Sequence, residues 1–186
     1  MPATIHGSPT HVLIVHIVVV LLPMSVLGAL VLVAVPAARR AHSLLTLIVA
    51  FVACVAVPLA FHSGSQLRAL LPRTPLIARH VQLAHQLLPI AAAFGVVLAV
   101  FVVLDGLQRS RDGRLNQFES RAVNALPSVK EYAQAHQFLG ARRTAAVLVV
   151  VLAVATGIQV YRVGDAGAKA AWAGRLSNSA TTAPIK

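Results

Sequence analysis

Eight histidines are spread through a chain of 186 residues that holds only five Asp and Glu. Imidazole titrates near neutral pH, ligates first-row metals and supplies the axial nitrogens of b-type haems. Four of the eight fall in two doublets of equal spacing, His11 with His16 and His80 with His85. A five-residue step on a helix turns about 140° and climbs about 7.5 Å, so both members of a doublet cannot reach one small ion. One member of each is expected to face a bundle and the other to face elsewhere. Counted back from Arg39 and Asp105, His16 falls between His80 and His85 in depth, which makes His16 and His80 the first expected ligand pair, with His11 and His85 in reserve. Two facing neutral imidazoles suit a six-coordinate haem iron, and a transition-metal ion could add His62 or His11. The same residues would also serve a proton relay, or would simply hydrogen-bond headgroups, water and neighbouring helices.

The elements that must position these side chains follow from composition. Hydrophobic residues make up 58% of the chain and charged residues 11%, and the mean hydropathy is +0.78. That balance excludes a soluble globule and a disordered chain. The net charge of +11 then becomes topological information in place of a nucleic-acid signal. The single Cys54 cannot form an intrachain disulfide. Four segments reach the roughly 20 apolar residues that a span needs, at about 11–38, 43–62, 81–104 and 144–163. The expectation is a single all-α domain over 1–186, a four-helix transmembrane bundle. The first span is retained, because no cleavage pattern follows its long apolar run. A short interfacial helix is expected in the tail 164–186, where Trp172 sits between Lys169 and Arg175 as a membrane anchor.

Ser8-Pro9 and Thr74-Pro75 each place a capping hydroxyl before a proline, as at a helix start. Pro23, Pro58 and Pro89 lie inside spans as tolerated kinks. Small residues recur at four-residue spacing: Ala91, Gly95 and Ala99, then Ala56 with Ala60 and Ala153 with Gly157, which predicts close helix packing. The two histidine doublets, each followed by a proline, hint at a repeated two-helix unit.

An even number of spans puts both termini on one side. Arg39-Arg40 and the loop 105–143 carry nine Lys and Arg against seven at the opposite end, so the loops are expected in the cytoplasm and the termini outside. His6, His11, His16, His62, His80 and His85 then share the outer face, with His42 and His136 inside. Asp105 and Asp165 fall at span ends, which counts against an ion-coupled transporter or channel. No phosphate-binding loop, paired-cysteine motif or nucleophile elbow is present.

Gly7-Ser8-Pro9-Thr10-His11, followed by Val15-His16, resembles the opening of the bacterial membrane proteins grouped as domain of unknown function 2231, with Ser8 where these carry a first histidine. The likeness continues through Gly64-Ser65-Gln66-Leu67, Arg79-His80, Leu83 and Leu87-Leu88-Pro89. It closes at Val160-Tyr161-Arg162-Val163-Gly164-Asp165-Ala166-Gly167-Ala168, covering Gly7 to about Trp172. The resemblance implies four spans in a bacterial inner membrane and no assigned activity. Relatives are sometimes joined to Rieske-type or cytochrome c domains, which favours electron transfer, and the match favours His11, His16 and His80 over His85. Ser8 weakens any scheme that needs three imidazoles from the first helix. The expected function is binding of b-type haem or a transition metal at the outer histidine cluster for membrane electron transfer. The expected partners are the lipid bilayer and a respiratory or other membrane redox complex, with no nucleic acid. The alternative is a non-catalytic membrane subunit that docks a larger complex. Whether the chain is an enzyme is left open at this level.

Overall fold

The computed structural model describes residues 4–5, 8–69, 74–119 and 129–181, with side chains described over 11–69, 74–113 and 139–172. Four helices follow in order: α1 (Thr10–Ala34), α2 (Pro36–Arg68), α3 (Pro75–Glu119) and α4 (Val129–Thr181). Ahead of α1, the two-residue strands β1 (Thr4–Ile5) and β2 (Ser8–Pro9) pair antiparallel. Each helix contains a stretch long and apolar enough to cross a membrane: His11–Ala34, Pro36–Arg68, Pro75–Gly113 and Leu139–Trp172. The chain is a multi-pass membrane protein built as a four-helix bundle.

The helices run beyond the apolar spans because helix formation does not stop where lipid stops. Arg39-Arg40, expected in a loop, lies in the first turns of α2. The chain reverses at Val35, whose φ of −117° and ψ of 105° are extended, immediately before Pro36. Proline pushes its predecessor out of the helical region and fits the first helical position itself. At the start of α3, the Thr74 hydroxyl accepts the Ile77 N–H at 3.3 Å, so Thr74-Pro75 opens the helix as expected. Ser8-Pro9 differs, lying in β2 just ahead of α1. The segment expected as a loop over 105–143 is helical up to Glu119 and again from Val129, since 108–114 contains no proline. Residues 164–176, expected as a separate interfacial helix, continue α4 without a break. Pro23, Pro58 and Pro89 sit within their helices.

The two halves of the bundle repeat one another. In α1, the buried residues Val18, Leu22, Ser25, Ala29 and Leu32 each have a buried counterpart in α3 at a constant offset: Leu87, Ala91, Phe94, Leu98 and Phe101. The same offset relates His11 to His80 and His16 to His85. In α2, buried Thr46, Ala50, Ala53, Ala56, Val57 and Ser63 correspond at a second constant offset to buried Val149, Ala153, Thr156, Gln159, Val160 and Ala166 in α4. That offset also relates Arg39-Arg40 to Arg142-Arg143 and Gly64 to Gly167. One antiparallel hairpin is thus built twice, the copies related by an approximate two-fold along the bundle axis.

Each helix packs on its neighbours around the bundle, α1 on α2 and α4, α3 on α2 and α4. Small residues set the closest approaches. Gly28 faces the Thr46 side chain, and Gly95 faces Cys54, whose thiol donates to the Ala91 carbonyl at 3.3 Å. Gly157 faces Val26, Ala91 and Ala153 are buried, and Ala60 and Ala99 are half-buried. A backbone without bulky side chains gains dispersion contact that lipid cannot supply. Large apolar side chains such as Leu27, Leu44, Phe51, Val96 and Val147 point outward on all four helices, the surface a bilayer covers.

Candidate functional site

The end of the bundle that carries the start of α1 and the start of α3 holds a matched pair of histidines. His11 Nδ1 lies 3.0 Å from the carbonyl oxygen of Ala60 and 3.2 Å from the Ser63 hydroxyl, which itself donates to Ala60. His80 Nδ1 lies 3.0 Å from the carbonyl oxygen of Val163. A carbonyl can only accept, so Nδ1 carries the proton in each ring, and in the neutral imidazole Nε2 is left as a lone-pair donor. The two rings are half-buried.

The local sequence explains how a side chain reaches a helical carbonyl from outside. In an α-helix the Cβ at position i+4 leans back over the carbonyl of residue i. Ala60 is followed four residues later by Gly64, and Val163 by Gly167. Each ring lies against its glycine: a Cβ built on Gly64 would stand 2.8 Å from His11 Cε1, and one on Gly167 would stand 3.1 Å from His80 Cε1. Histidine, open carbonyl and glycine thus occur as one unit in each hairpin.

The other members of the doublets face away. His16 is exposed and its Nδ1 bonds the Val12 carbonyl of its own helix at 2.7 Å. His85 is exposed and packs edge-on against Phe61, with ring centroids 4.3 Å apart. His62 is exposed and meets the Gln66 amide at 3.4 Å. His11 and His80 are thus the half-buried doublet members bonded to a neighbouring helix, whereas His16 bonds its own, because the repeat places the first members of the doublets at equivalent positions. His6 lies outside the described residues, as does the side chain of His136, while His42 is exposed near the opposite end. Trp172 lies on α4, 57% exposed. Among the described residues, no group of three or more His, Cys, Asp or Glu is placed to hold a metal ion.

Below the rings the bundle is filled by Val18, Leu22, Val57, Leu87, Ala91 and Val160. Gln159 is buried at this end, donating to the Leu83 carbonyl at 2.9 Å and to Gln86 Oε1 at 3.2 Å. Deeper, the Thr156 hydroxyl is buried without a hydrogen-bond partner among the described residues.

At the other end, the sequence reading missed a second polar centre. Asp105, expected at a span end, is 4% exposed and faces three guanidiniums. Arg109 Nη2 stands 2.8 Å away, Arg142 Nη1 3.3 Å and Arg39 Nε 3.7 Å. The Arg109 contact is an ion pair without hydrogen-bond alignment, since Oδ2 has no hydrogen-bond partner. Arg39 and Arg142 occupy equivalent positions of the two hairpins, whereas Asp105 lies on α3 beyond the part that α1 matches. The recurrence of Arg-Arg at 39–40 and 142–143 was the available signal.

No protein-family model matches the chain, and no curated protein or solved structure matches it either.

Proposed function

We propose that this multi-pass membrane protein binds a b-type haem or a single transition-metal ion on His11 and His80 and serves membrane electron transfer. The observation that carries the reading is the pair of imidazoles anchored through Nδ1 on the carbonyls of Ala60 and Val163. Metal-bound histidine characteristically donates its second nitrogen to a carbonyl or carboxylate, which fixes the tautomer and aims Nε2 at the metal. Two imidazoles are the full axial set of a six-coordinate haem, but only part of the set a zinc or copper ion requires. When bound, such a group would supply one-electron chemistry. The chain's own contribution is to hold both rings oriented through Nδ1. On this reading the protein resides in a bacterial inner membrane with its termini outside, belongs with the proteins grouped as domain of unknown function 2231, and passes electrons to a respiratory or other membrane redox complex.

The test is purification of the full chain in mild detergent, followed by a dithionite-reduced minus oxidised spectrum and metal analysis. A reduced-haem band or stoichiometric metal is expected in the natural protein. It should be lost in His11→Ala and in His80→Ala and kept in His16→Ala and His42→Ala. Absence of both signals from the natural protein sinks the reading and leaves the non-catalytic docking subunit in its place.

A further inference from the structure

Between α3 and α4, a cavity of about 90 Å3 is lined by Leu76, Leu83, Tyr161, Arg79, Arg162 and Lys169. Its one carboxylate, Asp165, is held by Lys169 at 2.8 Å. Neither of the two guanidiniums in the lining forms an ion pair among the described residues. Among the described residues, Arg162 Nη1 reaches the neutral Gln159 Oε1, at 3.5 Å, and no carboxylate, and Arg79 has no hydrogen bond or ion pair. The apolar part of the lining includes Leu76 and Tyr161, the latter 75% exposed.

The internal repeat sharpens what is unusual here. The positions of α1 and α2 equivalent to Arg79, Arg162 and Lys169 are Thr10, Leu59 and Gln66, and Asp165 corresponds to His62. The hairpins agree in buried residues and in the histidine–glycine unit, yet only one carries charge on this face. Packing is satisfied by uncharged residues in the first copy, so it does not require the cations in the second. Planar guanidiniums recognise phosphate oxygens bidentately, and basic side chains at the edge of a span are drawn to anionic headgroups.

We propose that this groove holds the phosphate of an anionic phospholipid, with Arg79 and Arg162 on the phosphate oxygens and an acyl chain running down from Leu76. The proposal does not depend on the histidine site. The experiment is native mass spectrometry of the full chain purified in detergent and supplied with equal amounts of phosphatidylglycerol and phosphatidylcholine. Phosphatidylglycerol should be retained in preference, by about fivefold or more, and the preference should fall to near parity in R79Q/R162Q. R79Q alone, which removes no described protein contact, should lower it severalfold with the helix content by circular dichroism unchanged. Equal retention of the two lipids, or an undiminished preference in R79Q, would overturn the proposal. So would displacement of the lipid by millimolar inorganic phosphate at matched ionic strength, which would identify a free-phosphate site.

Discussion

Gly64 leaves no space for a side chain beneath the His11 ring: a Cβ there would stand 2.8 Å from Cε1. The ring must move in Gly64→Ala, and the cheapest movement swings it off the Ala60 carbonyl. Losing that bond costs about 1 kcal/mol, which the better helix propensity of alanine roughly offsets. Stability is therefore expected to stay within about 1 kcal/mol of the natural protein. Cofactor occupancy should fall by about tenfold or more, because a misdirected ligand loses its aim. Thermal unfolding and the haem or metal content, measured on one preparation, check both halves of this expectation.

The Asp105 cluster should respond quite differently from the exposed Asp165–Lys169 pair. Asp105→Asn keeps the shape but leaves Arg39, Arg109 and Arg142 facing one another without a counter-charge. Because the arginines are partly solvated, the expected loss is about 1–3 kcal/mol, below the range for a fully buried pair. Asp165→Asn should cost no more than about 0.5 kcal/mol. Thermal unfolding in detergent at low salt compares the two, and equal effects would remove the case for Asp105 as the tie between the hairpins.

Thr156→Val is expected to raise stability. Its hydroxyl is buried with no partner among the described residues, and the substitution exchanges an unsatisfied polar atom for a methyl group of similar size. A gain of about 1 kcal/mol is expected. A loss in the same unfolding measurement would mean that the hydroxyl is satisfied in the folded protein.

Gln159→Leu tests the polar contact between α3 and α4. It removes the bonds to the Leu83 carbonyl and to Gln86 at a site with 4% exposure. The expected cost is about 1 kcal/mol, in line with hydrogen bonds between membrane helices. Unfolding monitored by circular dichroism is the readout.

The four spans were legible because apolar runs of sufficient length have no alternative environment. The helix ends were not, since hydropathy marks where lipid begins and says nothing of where the backbone stops coiling. Arg39 inside α2 and Arg109 inside α3 show the difference. The histidine doublets were legible as a spacing, and the 140° step rightly implied one inward ring in each. Choosing His16 over His11 required knowing the relative height of α1 and α3, which depends on packing at Ala29 and Leu98 rather than on counts from the charged ends. Gly64 and Gly167 were visible as letters, but their meaning rests on a carbonyl four residues earlier and a ring from another helix. Asp105 was visible as an acid at the end of an apolar run; that it points inward toward Arg39 and Arg142 is a matter of rotation about α3.

The hairpin repeat has a consequence for stoichiometry. Two separate copies of one hairpin would present every residue twice, so an acid facing the shared axis would meet its own duplicate, and omitting it would leave the paired arginines without any. One carboxylate between two equivalent guanidiniums is open only to halves that differ in sequence, and here Asp105 of α3 faces Arg39 of one hairpin and Arg142 of the other. Divergence of the two halves is therefore a condition of this charge balance, and a tandem whose halves were restored to identity would lose it.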